Sequence, residues 1–275
     1  MQEVQSVTNL CPNKRNGMKK IKPLIFIKFI LSLTIGLATG CASVTEQKTP
    51  VDYVDPYIGN ISHLLVPTFP TVHLPNSMLR MIPARPDYVS DRLEGFPMNT
   101  PSHRQGDVLL LMPYCGNVSG LKKDMQYRYD QERISPYSYS VFLDDYAIKT
   151  EFSPAARSAL FSFSYEKDGS RIISLRTREN GVISVEGRTM SGYELHKGIN
   201  HYFYLEFEQE PVNSGTINAE NHAYIEFGNG ESTINARYGI SYISVDQAKK
   251  NLQNEIDNFD IAKISERAKD TWNKA

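Results

Sequence analysis

From about residue 100 to residue 245, apolar and polar side chains alternate in short runs, the period of a strand with one buried face. Over residues 202–208, Phe203, Leu205 and Phe207 share one face while Tyr202, Tyr204, Glu206 and Glu208 share the other. Over residues 160–165, Phe161, Phe163 and Tyr165 alternate with Ser162 and Ser164. The same pattern predicts strands at 107–112, 138–143, 146–152, 171–177, 182–187, 223–227, 233–238 and 240–245. Asp168-Gly169, Asn180-Gly181 and Asn229-Gly230 are pairs that reach positive φ cheaply, which predicts tight hairpins. About ten short strands with turn signals every ~8–12 residues make an all-β fold, a large antiparallel β-sandwich.

The period then changes. Ser244 and Gln247 have the spacing of a capping box, and Ala248, Leu252 and Ile256 follow at helical intervals. A second helix is predicted from Asp260, with Ile261, Ile264, Ala268 and Trp272 on one stripe. That stripe needs a partner to bury it. Either it waits for a further domain, or the helix folds back over the sandwich. On the first reading Ile264, Ala268 and Trp272 stay partly exposed and the chain self-associates.

The first forty residues read as an address. From Met18, Lys19, Lys20 and Lys22 form a positively charged start, and residues 29–38 are apolar except for Ser32, Thr34 and Gly36. This stretch is far shorter than the ~20 residues a membrane-spanning helix needs, and it ends in small residues before Cys41. It is a secretory signal, and its end resembles the lipobox of bacterial lipoproteins, which implies lipidation at Cys41. Ala38 stands where Leu is usual, and cleavage of an ordinary signal near Ala42 is the alternative. The chain then divides into an upstream extension (1–17), the signal (18–40), a polar tether (41–50), the sandwich (51–245) and linker helices (246–275). The localisation expected is the periplasm or outer membrane of a bacterium.

Charge refines the choice of partner. The chain has 30 Lys and Arg against 31 Asp and Glu, but six of the basic residues and one acidic residue precede Cys41. The body is therefore mildly acidic, which argues against nucleic acid. An apolar share of 40% excludes a disordered chain. Cys11, Cys41 and Cys115 offer neither a disulfide framework nor a zinc spacing.

Several stretches carry a resemblance. Val54, Asp55, Pro56, Tyr57, Ile58 and Gly59 follow the tether; then come Gly106-Asp107 with the apolar run to Pro113, and Ser135-Pro136-Tyr137. Tyr146 to Glu151, Arg157, Gly187-Arg188, Tyr202-Phe203, Gly239 to Val245, Asn251-Leu252 and Trp272 come after them. In this order they resemble glycoside hydrolase family 92, the calcium-dependent exo-α-mannosidases, over about residues 51–275. The resemblance implies a galactose-mutarotase-like supersandwich leading into a helical (α/α)₆ barrel. That barrel holds the family's catalytic carboxylates and most of its calcium ligands, which places them beyond Ala275. It follows that this chain holds no cofactor of its own, binds mannose-containing glycans and is inactive by itself. A stand-alone glycan-binding surface lipoprotein and a non-functional truncated fragment are the alternatives. Two stretches depart from the family pattern: residues 61–78 lack its Gly/His-rich run, and residues 85–91 lack its Trp.

Few residues carry chemistry by themselves. His103 and Arg104 lie in a Pro-bounded loop directly before a strand, where binding groups concentrate; the matching family segment faces the sugar, which makes them the substrate-binding candidates beside an ordinary-loop reading. His196 and His201 have no metal spacing and read as surface or strand-edge residues. Asp144-Asp145 reads as a hairpin turn, and Asp124, Asp130 and Glu132 as a solvated loop. Tyr127, Tyr129, Tyr137 and Tyr139 could stack on sugars but fit a sheet surface better. Cys115 reads as a small core residue.

Overall fold

A computed structural model describes residues 48–60, 68–87, 90–102, 106–217 and 219–275. Cys41, the signal region, His63, Tyr88, His103 and Arg104 lie outside the described residues. Two antiparallel sheets form the body. The larger runs, in spatial order, β1 (Arg92–Leu93), β4 (Tyr127–Ile134), β5 (Tyr139–Leu143), β6 (Ile148–Pro154), β7 (Ser158–Tyr165), β14 (Thr233–Ser241), β11 (Ile199–Phe207), β10 (Thr189–His196) and β9 (Asn180–Glu186). The smaller runs β12 (Asn213–Ile217), β13 (Ala219–Glu226), β8 (Arg171–Arg176), β3 (Gly106–Cys115) and β2 (Phe96–Ser102).

The inward set of each strand meets its counterpart in a core between the sheets. Phe96 of β2 reaches across to Tyr139 and Phe161 of the larger sheet, with ring centroids 6.0 and 5.9 Å apart. Rings like these supply most of the hydrophobic gain, and truncating one to alanine typically costs ~3–5 kcal/mol. Buried hydroxyls also cross the core. Tyr238 on β14 donates to the Met98 carbonyl at 2.8 Å, and Tyr127 on β4 donates to the Pro113 carbonyl at 3.1 Å. Tyr127 and Tyr139 are thus core residues, unable to stack on a sugar.

The turn chemistry works differently from the sequence expectation. Asp168-Gly169 joins β7 to β8 and Asn229-Gly230 joins β13 to β14, so both carry the chain from one sheet to the other. Asn180-Gly181 opens β9 rather than forming a turn. The tight hairpins are β9–β10 at Gly187-Arg188 and β10–β11 at Lys197-Gly198. Lys197 and Gly198 both have positive φ, 49° and 81°, which matches the twist of the strands they join. Residues 240–245 are not a separate strand: β14 continues through Gly239 to Ser241 and pairs with β11.

Two helices follow. In α1 (Val245–Glu255) the Ser244 hydroxyl accepts from the Gln247 N–H at 3.1 Å; in α2 (Ile261–Lys274) the Asp260 carboxylate accepts from the Lys263 N–H at 3.2 Å. Each satisfies an otherwise orphaned donor of the first turn. Leu252, Ile256 and Ile264 form a second apolar cluster with Leu160 of β7. The stripe on α2 is therefore covered by its own sandwich: Ile264 and Ala268 are buried, and Trp272 is half-buried with its indole N–H donating to the His73 carbonyl at 2.8 Å. Lys269 pairs with Asp52 at 2.9 Å, and the Asn273 side chain accepts from the Val51 N–H at 3.1 Å. The expected exposed stripe, and with it the basis for self-association, is corrected by this packing.

Gly239 sets how closely α1 approaches β14. A Cβ there would sit 2.3 Å from the Ala248 carbonyl oxygen and 2.9 Å from the Leu252 nitrogen, both backbone atoms that cannot swing away. We expect Gly239→Ala to lower the free energy of unfolding by ~1–3 kcal/mol in urea titration, the usual range for overpacking. An unchanged midpoint would show that α1 rides loosely on the sheet.

Candidate functional site

The foundation of the site is a carboxylate where the strand alternation calls for an apolar side chain. On β10, Met190, Gly192, Glu194 and His196 fall on the inward face, and Glu194 is fully buried. It accepts three backbone N–H bonds: Leu109 at 2.7 Å, Arg178 at 3.1 Å and Glu179 at 3.0 Å. Leu109 lies on β3 with φ at +57°, beside a register shift between β2 and β3, so its N–H points away from the ladder toward this carboxylate. Arg178 and Glu179 lie on the crossover from β8 to β9. One carboxylate thus ties both sheets and their crossover together. Burial pushes the Glu194 carboxyl above its ordinary pKa, and the three N–H donors and His196 pull against that shift without cancelling it.

Above this anchor lies a cleft of about 540 Å³. Arg178 crosses its wall, donating from Nε and Nη2 to Asp107 at 3.1 and 2.8 Å and from Nη1 to Glu94 at 2.9 Å. Burial works against the charge of Arg178, but Asp107 and Glu94 outweigh it and hold the guanidinium protonated more firmly than usual. All three side chains remain about a quarter exposed. Phe69 and Thr100 also line it. Arg85 enters from another side, paired with Glu132 at 2.5 Å and bonded to the Tyr129 hydroxyl at 3.1 Å. Glu132 also accepts from the Tyr139 hydroxyl at 3.0 Å. Glu132 is therefore a nearly buried group on β4, correcting the solvated-loop reading; Asp124 is indeed exposed.

The β10–β11 hairpin forms the remaining wall, with His196 and Lys197 lining the cleft. His196 Nδ1 lies 3.1 Å from a Glu179 oxygen, an ion-pair distance without hydrogen-bond alignment. Its ring meets His201 edge-on at 5.9 Å, and His201 meets Tyr242 at 4.9 Å. Both histidines are buried, which corrects the surface assignment. Pairing across Lys197-Gly198 sets Glu194 opposite His201, and that places the acid and both histidines on one inward face. Burial, with His196 beside it, pulls the His201 pKa down to about 4.

The candidates His103 and Arg104 fall outside the described residues, but the residues on either side, Ser102 and Gly106, line this cleft. Asp144-Asp145 lies in the β5–β6 turn, where Asp145 binds Arg128. Cys115 is half-buried at the core margin. Among the described residues no group of three or more His, Cys, Asp or Glu could hold a metal ion. The cleft offers charged donors, carboxylate acceptors and a ring, the set that recognises a polyhydroxylated ligand.

A family model, the glycosyl hydrolase family 92 N-terminal domain, matches residues 53–241. No curated protein matches the sequence significantly. Among solved structures, the chain is similar to the family GH92 inverting mannosidase BT2199 from Bacteroides thetaiotaomicron VPI-5482, with 24% identity and a TM-score of 0.74 over 83% of this chain and 36% of that one. It is also similar to the family GH92 α-mannosidase BT3965 from Bacteroides thetaiotaomicron, with 20% identity and a TM-score of 0.69 over 83% and 38%. A third match, the gh92 family glycosyl hydrolase ccman5, has 16% identity and a TM-score of 0.67 over 82% and 36%. At these identities the likeness concerns the fold. The chain spans little more than a third of the length of these structures.

The buried histidines give stability a defined pH dependence. His201 and His222 have pKa values pulled from 6.5 to about 4 by burial and neighbouring cations. Between those values the unfolded chain binds protons that the folded chain refuses, so stability falls as pH drops from about 6.5 to 4. Glu194, with its raised value, acts in the opposite sense, and the lowered carboxyls of Asp52, Asp145 and Asp260 act only below 3.8. His73, whose pKa burial also lowers, acts in the same sense, and we expect the urea midpoint to fall across that window and His201→Phe to reduce the slope. A flat profile from pH 6.5 to 4 would contradict this.

Proposed function

The chain belongs to glycosyl hydrolase family 92, whose N-terminal domain it carries over residues 53–241, and on that premise we propose that its cleft is the sugar-contacting surface of an exported α-mannosidase. The observation that carries the reading is Arg178 clamped between Glu94 and Asp107 on the wall of the cleft. Asp107 uses only its Oδ2 and Glu94 only its Oε2 to hold Arg178. The second oxygen of each is available to neighbouring hydroxyls of a pyranose, and the fixed guanidinium supplies donors to the same ring. His103 and Arg104, which lie outside the described residues, are proposed as further substrate-binding residues.

In the proposal the chemistry of hydrolysis belongs to a second, helical domain of the kind that the family resemblance implies, and this chain binds and orients mannose without cleaving it. A lipid on Cys41 would hold the protein at a bacterial membrane, with the polar tether lifting the sandwich clear of it. One observation favours a second reading, a self-contained glycan-binding lipoprotein. The apolar stripe of α2 packs on its own sandwich through Ile264 and Ala268.

Both readings require mannose in the cleft. Titrating the full chain with methyl α-mannoside, followed by NMR, should give weak, saturable binding, because an open cleft encloses little of a monosaccharide. Arg178→Ala removes charge-assisted hydrogen bonds worth ~1.5–3 kcal/mol and should weaken binding about tenfold or more. Asp107→Asn keeps the shape and should weaken it less. Binding unchanged in both variants, or no binding by the parent, would overturn the assignment of the cleft.

A further inference from the structure

Arg176 closes β8 and pairs across the smaller sheet with His222 of β13 on one side and Leu110 of β3 on the other. Its side chain is only 7% exposed, yet no hydrogen bond reaches its guanidinium among the described residues. The nearest carboxylate oxygen, on Asp124, is 3.8 Å away, beyond hydrogen-bond range, and that side chain is 87% exposed. The contrast with Arg178, two residues on and held by two carboxylates, is sharp. A guanidinium cannot shed its charge, and a buried charge without a partner is strongly destabilising.

His222 stands beside it in the same condition. It is buried, and its Nε2 has no hydrogen-bond partner among the described residues. The charges around Arg176 are mixed, and those around His222 are positive. Burial and Arg178 depress the pKa of Arg176, against weaker support from Asp124, Glu94 and Asp107. Burial, Arg176 and Lys123 depress that of His222. Neither residue lines the cleft, so the sugar reading leaves both unexplained.

We propose that Arg176 and His222 form a binding site for a small oxyanion, a phosphate, sulfate or carboxylate group. The guanidinium fork supplies parallel N–H donors and the His222 Nε2–H a further one. One flexible aspartate cannot replace such a ligand, since it serves neither the Arg176 Nε nor His222. An oxyanion free in solution and one carried on a sugar have the same chemistry here.

The test uses the full chain in phosphate-free buffer at constant ionic strength, with thermal melts and calorimetric titration of inorganic phosphate, glucose 6-phosphate and chloride. Inorganic phosphate should raise the melting temperature saturably, as a ligand of the folded state does, and chloride should not. Equal binding of glucose 6-phosphate would support a site open to sugar-borne phosphate; preference for inorganic phosphate would support a closed site for the free ion. Arg176→Met should abolish the effect, and His222→Phe should weaken affinity about tenfold. Without phosphate, Arg176→Met should melt at or above the parent, because the buried charge it removes makes no hydrogen bond among the described residues. A phosphate effect no larger than that of chloride, or one retained in Arg176→Met, would overturn the site. So would an Arg176→Met protein that melts well below the parent in phosphate-free buffer, since that would mean Asp124 already satisfies the arginine.

Discussion

The cleft depends on one buried carboxylate accepting three backbone N–H groups. Glu194 collects donors from Leu109 on the smaller sheet and from Arg178 and Glu179 on the crossover, while its own backbone belongs to the larger sheet. Burying a carboxylate is unfavourable, and its raised pKa records that. The compensation is geometric. Leu109 can hold a left-handed backbone, and the crossover can turn with its amides inward, only because an acceptor waits at that point. Each of the three N–H groups would otherwise be left unsatisfied at ~1–3 kcal/mol.

The rest of the site is hung on that anchor. Arg178 leaves the anchored crossover with its side chain aimed at Glu94 and Asp107, and Glu179 reaches His196 on the opposite hairpin. The other end of the molecule is fixed separately. α2 is clamped by Lys269 to Asp52, by Asn273 to Val51 and by Trp272 to His73, so the first and last described segments share one corner. The sandwich is therefore rigid where it presents its polar cleft, and its helices are seated without drawing on the cleft residues.

How much of this the sequence disclosed depended on which interactions were local. β11 was legible because clean alternation follows from one buried and one open face; β7 was legible because its aromatic core face alternates with serines, although the helices cover its second face at Leu160. The helix starts at Ser244 and Asp260 were legible because caps act over three residues. β2 was not, since Pro97 and Pro101 speak against a strand, and an edge position tolerates them. β4 was hidden by Arg128 and Glu132, charges that pair with groups brought close only by folding, and by the exposed Asp130. Glu194 did leave a signal, a charge in the apolar register of β10, and the Lys197-Gly198 turn would have set it opposite His201. The Glu94–Arg178–Asp107 cluster left none, because its members lie 84 and 71 residues apart.

The account stands or falls on whether Glu194 organises the cleft. The direct measurement is amide hydrogen exchange, resolved by residue, in the parent and in Glu194→Ala under conditions where both are folded. If the carboxylate is the anchor, the amides of Leu109, Arg178 and Glu179 lose protection together, by orders of magnitude more than core amides of β7 and β14, and affinity for methyl α-mannoside falls with them. Protection of those three amides that survives the substitution, or that falls only in step with the whole core, would contradict it.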